Sequence, residues 1–270
     1  MNKKILIIAI SVIVVVAIFV TLGFRKTAGG IKPNKNHFTV HSLLSQARQL
    51  EIKGELLEAK SIYQKLVNEF TESPEVANWQ KRAEDINIKL LFSPAITPKS
   101  MVYQIKPGDT LNKIAREYKT TPELIMKSNN ISDSLIIPGR KIKIWNVPFS
   151  ILVDKSQNIM LLKSDEEVIK TYIVSTGKDN CTPVGVFKIV NKLANPTWFK
   201  AGAVVSSGSP ENVLGTRWMG FDLAGYGIHG TTEPKDLGKQ VTQGCVRLSN
   251  SDVEELYNIV PAGTEVSIVE

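Results

Sequence analysis

Apolar positions along the chain change their period several times, and each change marks a different kind of segment. From Ile5 to Phe24 the residues are apolar almost without a break, interrupted by Ser11, Thr21 and Gly23. Such a run can cross a bilayer as a helix, which takes about 20 residues. Arg25 and Lys26 follow it where a small-residue cleavage site would stand. An uncleaved membrane anchor over residues 1–27 is therefore expected, with a cleaved signal segment as the alternative. Basic residues on both flanks (Lys3, Lys4, Arg25, Lys26) leave its orientation open.

A helical period takes over beyond the glycine- and proline-bearing stretch 28–36. Leu43, Leu44, Ala47 and Leu50 share one face until Gly54 breaks it. Leu57, Ala59, Ile62, Tyr63, Leu66, Val67 and Phe70 form a second face. Val76, Trp79, Ala83, Ile86 and Leu90 form a third, opened by Ser73, Pro74 and Glu75. Residues 37–92 thus read as an α-helical stalk. With Ala47, Gly54, Ala59 and Tyr63 at its packing positions it resembles a single tetratricopeptide (TPR) repeat. One such unit cannot build a solenoid, so a spacer or self-association element is expected rather than a peptide-binding array. His37 and His41 are four apart but lack an acidic or cysteine partner at ligand spacing, and no metal site is expected.

Phe92 to Ser100 holds two prolines and reads as a linker. Residues 101–146 then give a strand over Val102 to Ile105, a turn at Pro107-Gly108-Asp109, two short helices and a closing strand over Lys141 to Trp145. Asp109 or Thr110 can cap the first helix, and Thr121 the second. This βααβ text, with VYQIKPGDTLNKIAREY and IIPGRKIKIW, resembles a LysM module. The resemblance implies binding to N-acetylglucosamine-containing glycans. Gly108, Asp109 and Thr110 would line one side of a shallow groove, and Asn130, Ile131 and Ile137 the other.

From Phe149 onward the apolar positions alternate or run together in short stretches. Ser150 to Asp154, Ile159 to Lys163, Val168 to Ser175, Gly185 to Val190, Trp218 to Leu223 and Thr264 to Val269 read as strands. Ser251 with Glu254 suggests a capping box for one helix carrying Val253, Leu256, Tyr257 and Val260. Residues 149–270 therefore read as a mainly β sandwich or barrel. The whole is expected to be a multidomain chain: N-terminal transmembrane helix, α-helical stalk, small βααβ module, mainly β C-terminal domain.

Charge adds little to this. The net charge is +7 over 270 residues, and a basic surface suits anionic wall polymers or lipid headgroups as well as plain solvation. No nucleic-acid motif is present.

Candidate chemistry lies between His229 and Leu248. Cys245 is one of two cysteines, and His229 is the one histidine outside the N-terminal quarter. A thiol with a pKa of about 8.5 becomes a nucleophile when an imidazole takes its proton or pairs with the thiolate. Gly244 and Cys245 offer consecutive N–H groups to an oxyanion. Arg247, two residues past the sulfur, either fixes the loop or binds a substrate carboxylate.

Three motifs in this order carry a wider likeness: Thr182-Pro183-Val184-Gly185-Val186-Phe187, then His229-Gly230-Thr231, then Thr242-Gln243-Gly244-Cys245-Val246-Arg247. They resemble the L,D-transpeptidase catalytic domain of the YkuD type. The resemblance implies that Cys245 attacks the bond between the third residue of a peptidoglycan tetrapeptide stem and its terminal D-alanine. The resulting thioester passes to an amine of a second stem. His229 handles the protons, the Gly230 carbonyl orients its imidazole, and Tyr226, Trp218 and Thr242 are pocket candidates. No cofactor is implied. A wall enzyme works outside the cytoplasm, in the periplasm or cell wall. Acyl transfer to water (an L,D-carboxypeptidase) and a non-catalytic wall-binding scaffold are the alternatives. Cys181, directly before the Thr-Pro motif, is expected to be an incidental free thiol.

Overall fold

The structure, a computed structural model, describes residues 35–200 and 202–270. The described chain divides into two compact units, with the division between Ile86 and Asn87. The expected fold class is corrected at its first element. Among the described residues no helix is long and apolar enough to cross a membrane, and the anchor assigned to 1–27 lies outside them.

The first unit is helical. Helices α1 (Lys35–Lys53) and α2 (Leu56–Glu69) form a hairpin, and α3 (Val76–Leu91) begins after it. Gly54 ends α1 with φ +79°, a conformation that costs a glycine nothing. Ala47, Ala59, Tyr63, Leu66, Trp79, Ala83 and Ile86 are buried. Small residues let the helices approach, and the Tyr63 hydroxyl donates to Glu51 across the hairpin at 2.6 Å.

The second unit opens with a two-stranded sheet and two short helices. Strand β1 (Ser100–Gln104) pairs antiparallel with β2 (Lys141–Trp145), and between them lie α4 (Leu111–Glu117) and α5 (Pro122–Ser128). The hydroxyl of Thr110 caps α4 by accepting from Lys113 N, and Thr121 caps α5 from Leu124 N. Asp109 is occupied elsewhere, accepting from the Tyr103 hydroxyl and from Lys106 N, both at 2.8 Å.

An eight-stranded mixed sheet follows, in the order β13-β11-β10-β7-β14-β3-β4-β5. Its strands are β3 (Phe149–Asp154), β4 (Ile159–Ser164), β5 (Glu167–Ile173), β7 (Gly185–Ala194), β10 (Arg217–Phe221), β11 (Gly227–His229), β13 (Val246–Arg247) and β14 (Glu265–Val269). Short strands β6 (Thr176–Gly177) and β12 (Gln240–Thr242) pair with each other, as do β8 (Trp198–Lys200) and β9 (Ala203–Val205). Helix α6 (Asn250–Ile259) packs Val253, Leu256 and Ile259 on the sheet. Its cap is Ser249, whose Oγ accepts from Asp252 N at 3.0 Å. The expected cap at Ser251 thus lies two residues earlier, at Ser249, because Asn250 already begins the helix.

The expected linker over 92–100 is stapled down. Leu91, Leu124 and Trp145 belong to the same apolar cluster as Phe149, Ile151, Ile169 and Leu256, so the βααβ module, which keeps its own core around Ile105, Leu111, Ile114 and Ile142, docks Leu124 and Trp145 onto the core of the large sheet. Trp145 stacks on Phe149 at 5.8 Å, and its Nε1 donates to Ser164 Oγ at 3.2 Å. The Thr121 hydroxyl, besides capping α5, donates to the Asn258 carbonyl.

Lys143 completes the staple from β2. Its ammonium donates to the carbonyls of Leu90 (2.6 Å) and Ser93 (2.8 Å), where α3 runs out of its own N–H donors. The residue is only 3% exposed, and burial pushes its pKa down to about 8. Lys143→Met removes a charged donor from the Leu90 and Ser93 carbonyls and is expected to lower stability by about 2 kcal/mol in urea unfolding. An unchanged midpoint would show that water reaches those carbonyls.

Candidate active site

Two short strands set the geometry. In the parallel pair β11 and β13, His229 sits opposite Arg247 and Ile228 opposite Val246. Partners across parallel strands project to one face, and so do residues two apart along a strand. Cys245, in the bend just before β13, therefore falls beside Gly227 on the face that carries His229. Strand spacing alone puts its Cα about 8 Å from that of His229.

His229 is 3% exposed. Its Nδ1 lies 2.7 Å from the Gly230 carbonyl, which can only accept. Nδ1 therefore carries the proton and Nε2 presents a lone pair. Burial pushes the imidazole pKa down to about 4; the Gly230 carbonyl opposes that shift, and the Arg247 guanidinium adds to it. The ring stacks on Trp218, its cross-strand neighbour, at 6.0 Å and 23°. Asn191 on β7 holds that indole by accepting from Trp218 Nε1 at 3.1 Å, and accepts from Gly220 N as well.

Cys245 is partly exposed and free. Its Sγ donates to the Gly225 carbonyl at 3.5 Å, and the Gly227 N–H points at the sulfur. Burial pushes the thiol pKa up, while Gly227 and Arg247 pull against it. Neutral imidazole and neutral thiol are thus the resting pair, with the thiol proton parked on Gly225. The sulfur and the imidazole are not hydrogen-bonded to each other in this state. Catalytic hydrogen bonds commonly tighten only when substrate arrives.

The turn that presents Cys245 is built by Thr242 and Gly244. Thr242 Oγ1 accepts from Gly244 N at 3.2 Å and donates to the Cys245 carbonyl at 2.6 Å. Thr242 is buried, and its hydroxyl is spent inside the turn. The Gly244 N–H, expected as one of two oxyanion donors, is engaged by that hydroxyl. Gly244 has φ +117°, and a Cβ there would lie 2.6 Å from Tyr226 Cε1, so Tyr226 packs against the turn with its ring edge.

Arg247 is 8% exposed. Its Nη1 is 3.5 Å from the exposed Glu233 carboxylate, and its Nε is buried without a partner. Its backbone exchanges two hydrogen bonds with Ser175, pinning β13 in place. The guanidinium acts on the site through its field, favouring thiolate over thiol and neutral imidazole over imidazolium.

Cys181 is exposed, and its Sγ reaches the Thr242 carbonyl at 4.0 Å. In the βααβ module, Gly108 (φ +82°) and Asn130 (φ +51°) stand exposed at turns, and Ile131 packs against the module core. Leu135 and Ile137 are the apolar side chains most open to solvent there. Among the described residues no His, Cys, Asp and Glu group has the spacing of a metal site.

Comparison with known proteins bears on both halves of the second unit. The family profile of the L,D-transpeptidase catalytic domain, YkuD, matches residues 148–268, and that of the LysM domain matches 103–145. "Putative L,D-transpeptidase YkuD" of Bacillus licheniformis is 37% identical over 177 residues, covering 62% of this chain and 98% of that protein. Its namesake in Bacillus subtilis is 35% identical over 176 residues with the same coverage. YqjB of Bacillus subtilis, named in the same way, is 40% identical over 126 residues, 44% of this chain and 70% of that one.

Proposed function

The chain belongs to the L,D-transpeptidase family of the YkuD type, and from that premise we propose that Cys245 and His229 carry out acyl transfer between peptidoglycan stem peptides. The observation that carries the assignment is the His229 tautomer. With Nδ1–H spent on Gly230, Nε2 is a bare base on the face that presents the thiol.

Cys245 Sγ gives its proton to Nε2 as it adds to the carbonyl between the third stem residue and D-alanine. The oxyanion accepts the Cys245 N–H, and the neighbouring Arg247 charge favours it. The imidazolium then returns its proton to the departing amine, D-alanine leaves, and a thioester remains. An amine on the third residue of a second stem attacks, again losing its proton to Nε2, and the sulfur is released. A low imidazole pKa makes His229⁺ a strong acid toward the leaving amine, which suits amide cleavage better than a stable ion pair would.

The LysM domain supports a glycan-bearing substrate, and a wall substrate favours a catalytic domain that works outside the cytoplasm. Because Leu124 and Trp145 of the module pack into the core of the sheet, a glycan bound near Gly108, Asn130 and Ile131 would be presented from a docked module rather than from a free tether. The test is incubation of the full chain with purified disaccharide-tetrapeptides and mass analysis of the products. Dimers lighter than two substrates by one D-alanine are expected. Trimmed monomers alone would make water the acceptor and turn the reading to a carboxypeptidase; unchanged substrate would remove the enzymatic reading.

A further inference from the structure

We infer that Asn250 is a positioning residue for His229, acting through the peptide bond between Gly230 and Thr231. The inference rests on the catalytic reading of the Cys245–His229 pair. Asn250 opens α6, and its Oδ1 accepts from two backbone donors at once, Thr216 N and Thr231 N, both at 3.1 Å. The Thr231 N–H belongs to the same planar amide as the Gly230 carbonyl. That carbonyl is the acceptor of His229 Nδ1. One rigid unit therefore links Asn250 Oδ1 to the imidazole: side-chain amide, peptide plane, ring.

Chains of hydrogen bonds polarise one another, so an acceptor on the N–H end makes the carbonyl a better acceptor at the other end. Asn250 thereby does, through a backbone amide, what a carboxylate does directly for a catalytic histidine elsewhere: it fixes the tautomer and supports charge on the ring. The surroundings are shaped around it. A Cβ on Gly230 would collide with Asn250 Oδ1, and one on Gly215, which has φ +63°, would collide with the same atom and meet Thr231 N at 2.5 Å. Both glycines leave room for the amide to reach two N–H groups. Val253, one turn along α6, lies buried in the core and anchors the helix that presents Asn250.

The test separates positioning from mere bracing. Asn250→Ala removes the acceptor, and Asn250→Asp keeps it while adding charge. Single-turnover acylation of Cys245 is expected to fall roughly 10- to 100-fold in the Ala variant. It is expected to stay within a few-fold of wild type in the Asp variant. Nitrogen NMR of His229 is expected to show Nδ1–H in the wild type and Asp variant and a mixture of tautomers in the Ala variant. The Asp variant is also expected to raise the imidazole pKa and move the acid limb of the pH–rate profile upward. A structural brace would lower melting temperature in the Ala variant yet leave tautomer and profile alone. Wild-type tautomer with Nε2 protonated, or an Asp variant with an unmoved acid limb, overturns the inference. Should the wild type fail to acylate at all, the catalytic reading falls while the NMR arm still decides the relay.

Discussion

Cys245→Ala is expected to reduce stem-peptide turnover by at least about a thousandfold while the protein stays folded. The magnitude follows from losing the covalent route, since removal of a nucleophile in such a constellation leaves only binding and oxyanion stabilisation. The fold persists because the sulfur is partly exposed and its polar contacts, to the Gly225 carbonyl and the Gly227 N–H, are weak. The turn around it is closed by Thr242, whose bonds to Gly244 N and the Cys245 carbonyl involve no sulfur. Glycan binding by the LysM domain is expected to survive the substitution. Cys181→Ala is the matched control: that thiol lies outside the proposed proton path, and turnover is expected to remain.

His229→Gln is expected to cost a similar factor, about a thousandfold, and to change the pH dependence of stability as well. In the folded protein the imidazole pKa is about 4, against about 6.5 in an unfolded chain. Between those values the unfolded state binds more protons, so stability rises with pH through that window. Above pH 6.5 the contribution of a neutral, buried His229 is fully present. As pH falls toward 4 it is lost, by about 3 kcal/mol once both states are protonated. Denaturant unfolding of wild type from pH 7 to 4 is expected to show this decline, and the Gln variant to show less of it. The rate carries the same signature: an imidazole that stays neutral to about pH 4 keeps its role as a base in mildly acid solution. An acid limb near pH 6.5 would mean that His229 is solvated when it works.

Much of this was legible in the sequence where periodicity is strong. Strand β2 and the two caps at Thr110 and Thr121 follow from local pattern alone, as do the larger strands β3, β4 and β14. The short strands β11 and β13 were not legible, since two or three residues carry no period; they exist because buried neighbours and the Ser175 bridge hold them. The proposed nucleophile and base were legible as residue types in an ordered set of motifs. The state of the pair was not, because burial, the Gly230 carbonyl and Arg247 are tertiary facts. Asn250 and Asn191 gave no sequence signal at all. Each acts through a backbone or ring that only the folded sheet brings within reach. Thr242 and Gly244 were legible as motif positions, but a hydroxyl that closes its own turn looks the same in sequence as one that meets substrate.

Acid quench of the full chain a short time after mixing with tetrapeptide stem, followed by intact mass and peptide mapping, tests the central claim most directly. The account predicts an adduct equal to the stem minus D-alanine, held as a thioester on the peptide that contains Cys245. Product formation with no adduct on Cys245, or with the acyl group on Cys181 instead, would contradict it.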